Sequence, residues 1–211
     1  MKVCAEFGLL LLISLSQAAY AQAPALAPEL KVGDTWEYRS IDGYGKTEIF
    51  SNTVTSVSPE GHAIEWESKI DGKKVQRTYT KDWNPVKRDE GLVYTPYYPY
   101  LKFPLSVGKT WSEESSLDRA GDNTRWTYST QGKVVSFGKV KVAAGEFDAY
   151  EVTTNATYNA QRPSGRWGGR RTETWWYAPA VKSIVKSEFA DSQIGNTQNR
   201  NTSELQSLKL N

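Results

Sequence analysis

Apolar and polar residues alternate with a period of two through nearly the whole chain beyond its first two dozen residues. In the stretch HAIEWESKI, this alternation sends Ile64 and Trp66 to one face and Glu65 to the other. Such a period is typical of a strand with one buried face. The stretches between the alternating runs carry turn residues, and Asp71-Gly72 has the composition of a tight hairpin. Beyond the N-terminal region, no stretch has a convincing helical period, so the sequence predicts a β protein.

Together, the alternation and the turn residues predict strands at residues 35–40, 46–57, 62–70, 74–80, 86–94, 110–117, 124–137, 147–159, 171–177, 182–189 and 203–210. Hairpins link most of these runs. The predicted fold class is all-β, an antiparallel sheet that curls into an open or half barrel, with a sandwich as the alternative.

The first 21 residues have the features of a cleaved signal peptide. Lys2 supplies a positive charge, residues 7–15 are apolar, and Ala19-Tyr20-Ala21 forms a small-x-small cleavage site. The apolar run is about half the length that a membrane-spanning helix needs. A lipoprotein would carry its cysteine just after that run, whereas Cys4 precedes it. We therefore expect a periplasmic or secreted protein with no transmembrane segment after cleavage.

The rest of the chain is predicted to be a flexible leader at 22–29 and a single all-β domain at 30–211. Cys4 is the only cysteine, so the domain must be stabilised by its core and not by disulfides. The segment Leu30–Trp36, LKVGDTW, returns at Leu105–Trp111 as LSVGKTW, and the run RTYT from Arg77 is echoed by RTET from Arg171. These matches leave open whether the halves 30–104 and 105–211 are a true repeat or a chance correspondence in β-rich sequence.

The repeated segments make one local prediction that holds in either case. Gly33 and Gly108 should occupy turn positions. Trp36 and Trp111 should be buried anchors of the strands that follow.

Two irregular segments carry the candidate ligand contacts. The segment 95–104, TPYYPYLKFP, contains three prolines and is predicted to be an extended connection. The segment 161–170, QRPSGRWGGR, is predicted to be a Gly-rich basic loop, whose guanidinium groups could bind an acid group beside a ring. The alternatives are an aromatic lid packed over the core and a solvated hairpin tip. The candidate ligand-binding residues are Arg162, Arg166, Trp167, Arg170, Arg171, Tyr97, Tyr98 and Tyr100.

Catalytic and metal-binding constellations are not found in the sequence. His62 is the only histidine and lies on an apolar strand face, so we interpret it as a packing residue. A metal site or a hydrolytic triad needs more such groups, and no G-x-S-x-G motif is present. We therefore expect no enzymatic activity, no metal and no cofactor. The net charge of +2 is too small for general nucleic-acid binding.

Three motifs resemble those of a family of exported bacterial proteins. They are FPLSVGKTW at Phe103–Trp111, VKVAAGEFDAYEV at Val140–Val152 and WYAP at Trp176–Pro179. The resemblance is to the TapB-like group of domain-of-unknown-function families and covers roughly residues 95–190. It departs at Ala143, where the family has proline, and in the Arg-rich stretch 162–171. The resemblance implies no activity and no catalytic residues. At the level of fold, the chain is also similar to the periplasmic lipoprotein carriers LolA and LolB, which does not define a function.

These features leave three hypotheses of different classes. The first is a binding or carrier module with an aromatic-lined groove for an apolar or lipid-like ligand. The second is an envelope interaction protein that binds an anionic polysaccharide or a protein. The third, a hydrolase, has the least support, and the oligomeric state is left open.

Overall fold

The computed structural model describes residues 23–89, 91–193 and 199–211; the predicted signal peptide lies outside the described residues. Within these ranges the chain forms twelve strands and one short 3₁₀ turn at Pro179–Val181. The strands are β1 Thr35–Asp42, β2 Thr47–Val57, β3 Gly61–Ser68, β4 Lys74–Thr80, β5 Pro85–Lys87, β6 Leu92–Thr95, β7 Thr110–Arg119, β8 Thr124–Val142, β9 Gly145–Arg162, β10 Gly165–Ala178, β11 Ser183–Asp191 and β12 Asn199–Lys209.

The twelve strands form one closed antiparallel barrel in which each strand pairs with its neighbours in the chain. The first and last strands also pair, over a ladder from Thr35↔Lys209 to Asp42↔Asn201. The prediction of an all-β, antiparallel fold is confirmed. The predicted open or half barrel is corrected to a closed one. Pairing of β1 with β12 satisfies the backbone groups that an open sheet would leave at its edges.

The turns that precede β1 and β7 have the same geometry. Gly33 and Gly108 have positive φ angles of 90° and 88°. Each donates its backbone N–H over 2.9 Å to a valine carbonyl, on β2 and β8 respectively. Trp36 and Trp111 follow at the same spacing and are 0% and 7% exposed. The local prediction from the repeated motif is therefore confirmed at both sites.

One end of the barrel is filled by side chains and by the segment between β6 and β7. The indole N–H of Trp36 donates to the carbonyl of Val181 over 2.8 Å, and that of Trp83 donates to the carbonyl of Lys182 over 3.0 Å. The Asn84 side chain exchanges two hydrogen bonds of 2.8 Å with the backbone of Leu101. The Asn84–Leu101 contact fixes the proline-containing segment at this end of the barrel, where the segment is called the plug; as predicted, it connects two strands.

Several predicted boundaries change. The stretch 161–170, predicted as a loop, belongs to β9 and β10 except for a short turn at residues 163 and 164. The Tyr158 hydroxyl occupies the space that a side chain at Gly169 would fill, so this glycine is required by packing across the β9–β10 pair. The predicted strand 86–94 is divided into β5 and β6. The last strand begins at Asn199 and not at the predicted residue 203, because the polar residues before 203 pair with neighbouring strands β11 and β1.

Residues 23–29, for which the sequence predicts a flexible leader, lie against the plugged end. Ala25 and Leu105 exchange backbone hydrogen bonds of 2.9 and 2.8 Å. The Tyr150 hydroxyl donates to the carbonyl of Ala23 over 2.8 Å. In the described part of the chain, this segment is therefore bound to the barrel.

Candidate ligand-binding cavity

A cavity of about 780 Å³ lies inside the barrel. Its lining includes Arg119 and Arg162, which are exposed at the end of the barrel opposite the plug. The cavity therefore reaches solvent at this end, here called the mouth. Its volume lies within the range of small-molecule sites, about 300–1,000 Å³.

Aromatic rings from β1–β4, β6 and β8–β11 line most of the cavity. Deep inside, the rings of Tyr100 and Trp175 lie 4.2 Å apart between centroids. The side formed by β12 is polar instead, and there Asn201 donates to the Ser40 hydroxyl over 2.6 Å. The cavity can therefore accommodate an apolar ligand that also carries hydrogen-bonding groups.

Arg171 forms part of the aromatic wall. Its guanidinium lies 5.1–5.4 Å from the ring centroids of Tyr98, Tyr128 and Phe189. It also lies 3.6 Å from a carboxylate oxygen of Asp191, and its side chain is only 16% exposed. The charge of Arg171 is thus balanced by neighbouring groups, in the manner of a buried ion pair with cation–π contacts.

Glu173 lies two residues further along the same face of β10 and is 2% exposed. Burial raises the pKa of its carboxyl group, and the positive charge of Arg171 only partly offsets this effect. The Thr154 hydroxyl donates to this carboxyl group over 3.0 Å. Glu173 therefore takes up a proton more readily than an exposed glutamate.

Two further arginines, Arg77 and Arg88, reach the cavity from the opposite half of the barrel. Arg77 donates to Asp89 through two nitrogens over 3.1 and 2.8 Å, and its guanidinium lies 4.8 Å from the Trp66 ring centroid. Arg88 has no ion pair with any residue of the described ranges. Its guanidinium is within electrostatic range of the tyrosines around it, Tyr100 above all.

The mouth is formed by two arginine–tryptophan contacts. The guanidinium of Arg119 lies 5.0 Å from the Trp126 ring centroid, and that of Arg162 lies 5.3 Å from the Trp167 ring centroid. The two indoles meet edge to face at 6.0 Å. Arg119 is also paired with Asp122. These groups present positive charge and aromatic surface at the entrance.

The structure divides the eight predicted site residues into three groups. Arg162, Trp167, Arg171 and Tyr100 line the cavity. Tyr98 is fully buried behind it, packed on the rings of Tyr94, Tyr100 and Tyr128. Arg166, Arg170 and Tyr97 lie outside the cavity; the two arginines are exposed on the outer face of β10. Burial, followed by the nearby Glu113 carboxylate, raises the pKa of Tyr97 to about 12.

Sequence reasoning missed Arg77, Arg88 and Glu173 as cavity residues. The correspondence between RTYT and RTET could have indicated two of them, Arg77 and Glu173. Arg77 corresponds to Arg171, and Tyr79 corresponds to Glu173, with both members of each pair facing the cavity. The side chain of Arg88 could not be assigned in this way, because it follows the short strand β5.

His62 lies beside the cavity floor and contributes to packing. Its ring stacks on Tyr79 at 5.6 Å and meets Trp83 edge to face at 4.6 Å. Burial lowers the pKa of this imidazole to about 4, so it is neutral at physiological pH. Across residues 23–89, 91–193 and 199–211, no three His, Cys, Asp or Glu side chains are grouped as a metal site would require. The same ranges contain no helix long and apolar enough to span a membrane.

Fold and site together define a closed antiparallel barrel with an aromatic and arginine-lined interior cavity. No protein-family model matches the chain, and no curated protein matches it. A protein from Parabacteroides distasonis, described as a lipoprotein, has a similar structure, with a TM-score of 0.55 and 16% identity over 89% of this chain and 100% of that chain. A protein from Bacteroides fragilis, described as exported and with a YmcC-like fold, has a TM-score of 0.55 and 19% identity over the same shares.

These two likenesses concern the fold alone. They agree with the prediction of an all-β fold. The more specific resemblance to the TapB-like group, or to LolA and LolB, is not confirmed by them.

Proposed function

We propose that this protein is an exported, non-enzymatic binding module that carries an amphipathic, lipid-like ligand inside its barrel. The observation that carries the proposal is the cavity of about 780 Å³, lined by rings on most sides and open at the mouth. A core that served stability alone would be filled by side chains, since protein interiors are close-packed. The signal-peptide features of residues 1–21 support a periplasmic or secreted location, and the motifs at 103–111 and 140–152 support kinship with the TapB-like group.

Filling the cavity tests the proposal. Ser187 on β11 lines the cavity, whereas its neighbour Glu188 is exposed on the outside. Ser187→Trp should abolish binding of the fluorescent apolar probe N-phenylnaphthylamine, and Glu188→Trp should leave it unchanged. Native mass spectrometry of the exported protein should detect a retained ligand in the wild type and not in Ser187→Trp. Equal probe binding by both variants would contradict the proposal.

A second candidate function is contact with an anionic envelope component through the outer face of β10. Arg166 and Arg170 are exposed there, with no side-chain partner among the described residues. Replacing both by Ser should abolish retention on an anionic lipid or polysaccharide matrix while leaving the melting temperature nearly unchanged, since exposed substitutions usually shift stability by less than about 0.5 kcal/mol. Unchanged retention would rule out this contact.

A further inference from the structure

Five arginines line the cavity: Arg77, Arg88, Arg119, Arg162 and Arg171. Three of them form ion pairs with aspartates, which are Arg77 with Asp89, Arg119 with Asp122 and Arg171 with Asp191. The guanidinium of Arg162 rests on the Trp167 ring at the exposed mouth. Among the residues that the structure describes, Arg88 is therefore the cavity arginine that forms neither an ion pair nor a cation–π contact.

Arg88 is half-buried and lies among hydroxyl groups that are also free. Tyr79, Tyr94 and Tyr100 line the same cavity and lie within electrostatic range of the Arg88 guanidinium. Within the described ranges, none of the three hydroxyls has a hydrogen-bond partner. Contact with Trp175 fixes the ring of Tyr100. The guanidinium and the hydroxyls are all donors, so these four residues, here called the Arg88 cluster, give the cavity several donors that no described residue uses.

We propose that the Arg88 cluster is a head-group site, which binds the carboxylate, sulfonate or phosphate of an amphipathic ligand whose apolar part lies between the aromatic walls. A guanidinium offers a planar pair of donors to such a group, and hydrogen bonds to an ionised acceptor are stronger than neutral ones. The ligand enters with its acid group first, since Arg88 lies deeper than the arginines of the mouth. This inference rests on the proposed function and specifies the class of ligand.

The acidic residues that the structure describes near the cluster, Asp89 and Glu173, do not occupy the site. Asp89 follows Arg88 in the chain but is bound to Arg77 by two hydrogen bonds. Glu173 interacts electrostatically with Arg88 but forms no ion pair with it. Burial raises the pKa of Glu173, and a protonated carboxyl group would add one more donor for the ligand's acid group.

Two fluorescent probes that share one aromatic skeleton test the proposal. Anilinonaphthalene sulfonate carries an acid group, and N-phenylnaphthylamine lacks it. Arg88→Met should weaken binding of the sulfonate by at least about tenfold, the usual effect of losing a charged hydrogen bond, and leave binding of the neutral probe unchanged. Arg39→Met, which removes an exposed charge from the outer face of β1, is the matched control and should change neither affinity.

The outcomes separate the inference from the proposed function. If the wild type binds neither probe, the proposed function fails. If it binds the neutral probe, and Arg88→Met leaves sulfonate binding unchanged or weakens both probes equally, only the head-group site is overturned.

A competition experiment on the wild type needs no variant to fold. Dodecanoate should displace the sulfonate probe at a much lower concentration than dodecanol, and equal displacement would contradict the site. Inorganic phosphate should not displace the probe. If inorganic phosphate displaces the probe, the site binds small free anions, and the proposal of an amphipathic ligand is overturned.

Discussion

Lowering the pH from 7.5 to 5.0 should destabilise the folded protein through protonation of His62 in the unfolded chain. This imidazole is 6% exposed, stacks on Tyr79 and meets Trp83 edge to face, and its buried Nε2 atom has no partner among the described residues. No described residue forms an ion pair that would offset the cost of burying an imidazolium here. Burial therefore lowers the pKa of His62 from 6.5 to about 4.

The sign of the effect follows from which state binds the proton first. As the pH falls through 6.5, the unfolded chain is protonated at His62 while the folded protein is not. Stability is therefore complete above about pH 6.5, declines down to about pH 4, and changes no further below that. Between pH 7.5 and 5.0 the expected loss in the free energy of unfolding is about 2 kcal/mol, from the two pKa values and 1.36 kcal/mol per unit.

Urea unfolding followed by tryptophan fluorescence measures this loss at the two pH values. His62→Phe is the matched control, because it keeps a ring between Tyr79 and Trp83 but cannot be protonated. Other groups titrate in both proteins, Glu173 included, so their contributions cancel in the difference. The wild type should lose about 2 kcal/mol more than His62→Phe over this interval. Parallel losses in the two proteins would refute the assignment of His62 as a buried neutral base.

Two matched pairs of core substitutions test the packing by chemical denaturation. Trp36→Phe should cost about 1–3 kcal/mol more than Trp111→Phe, because the Trp36 indole N–H donates to the Val181 carbonyl, whereas the Trp111 indole has no partner in the described ranges. Gly132→Ala should destabilise by about 1–3 kcal/mol, since its new methyl group would overlap the Trp111 ring. Gly138→Ala, where the space is open, should be nearly silent. Equal losses in the free energy of unfolding within either pair would contradict the contacts assigned to that pair.

Strand positions could be predicted from the sequence because alternation and turn residues act locally. The second strand was predicted at 46–57 and is found at Thr47–Val57, and the fourth was predicted at 74–80 and is found there. Barrel closure could not be predicted in this way. It depends on pairing between the first and last strands, and no local pattern indicates which distant edges meet.

The candidate site was only partly predictable for a related reason. Trp167 and Arg171 could be predicted as ligand-binding residues because they lie in a segment of unusual composition, and both line the cavity. Arg77 and Glu173 lie in ordinary alternating strands, where a charged residue normally indicates the outer face. Whether such a residue points inward depends on the register and on what covers each face, which the alternation alone does not determine.

The polar lining of the cavity is better evidence for a ligand than its aromatic lining is. Rings inside a barrel stabilise the fold, so they would be present whether or not a ligand binds. A half-buried guanidinium with no acid partner among the described residues does not stabilise the fold in this way, because burying an unpaired charge is costly. Arg77 and Arg171 occupy corresponding positions in β4 and β10, and each has an acidic partner. Arg88 departs from this arrangement, and a ligand's acid group would supply the partner that the described residues do not.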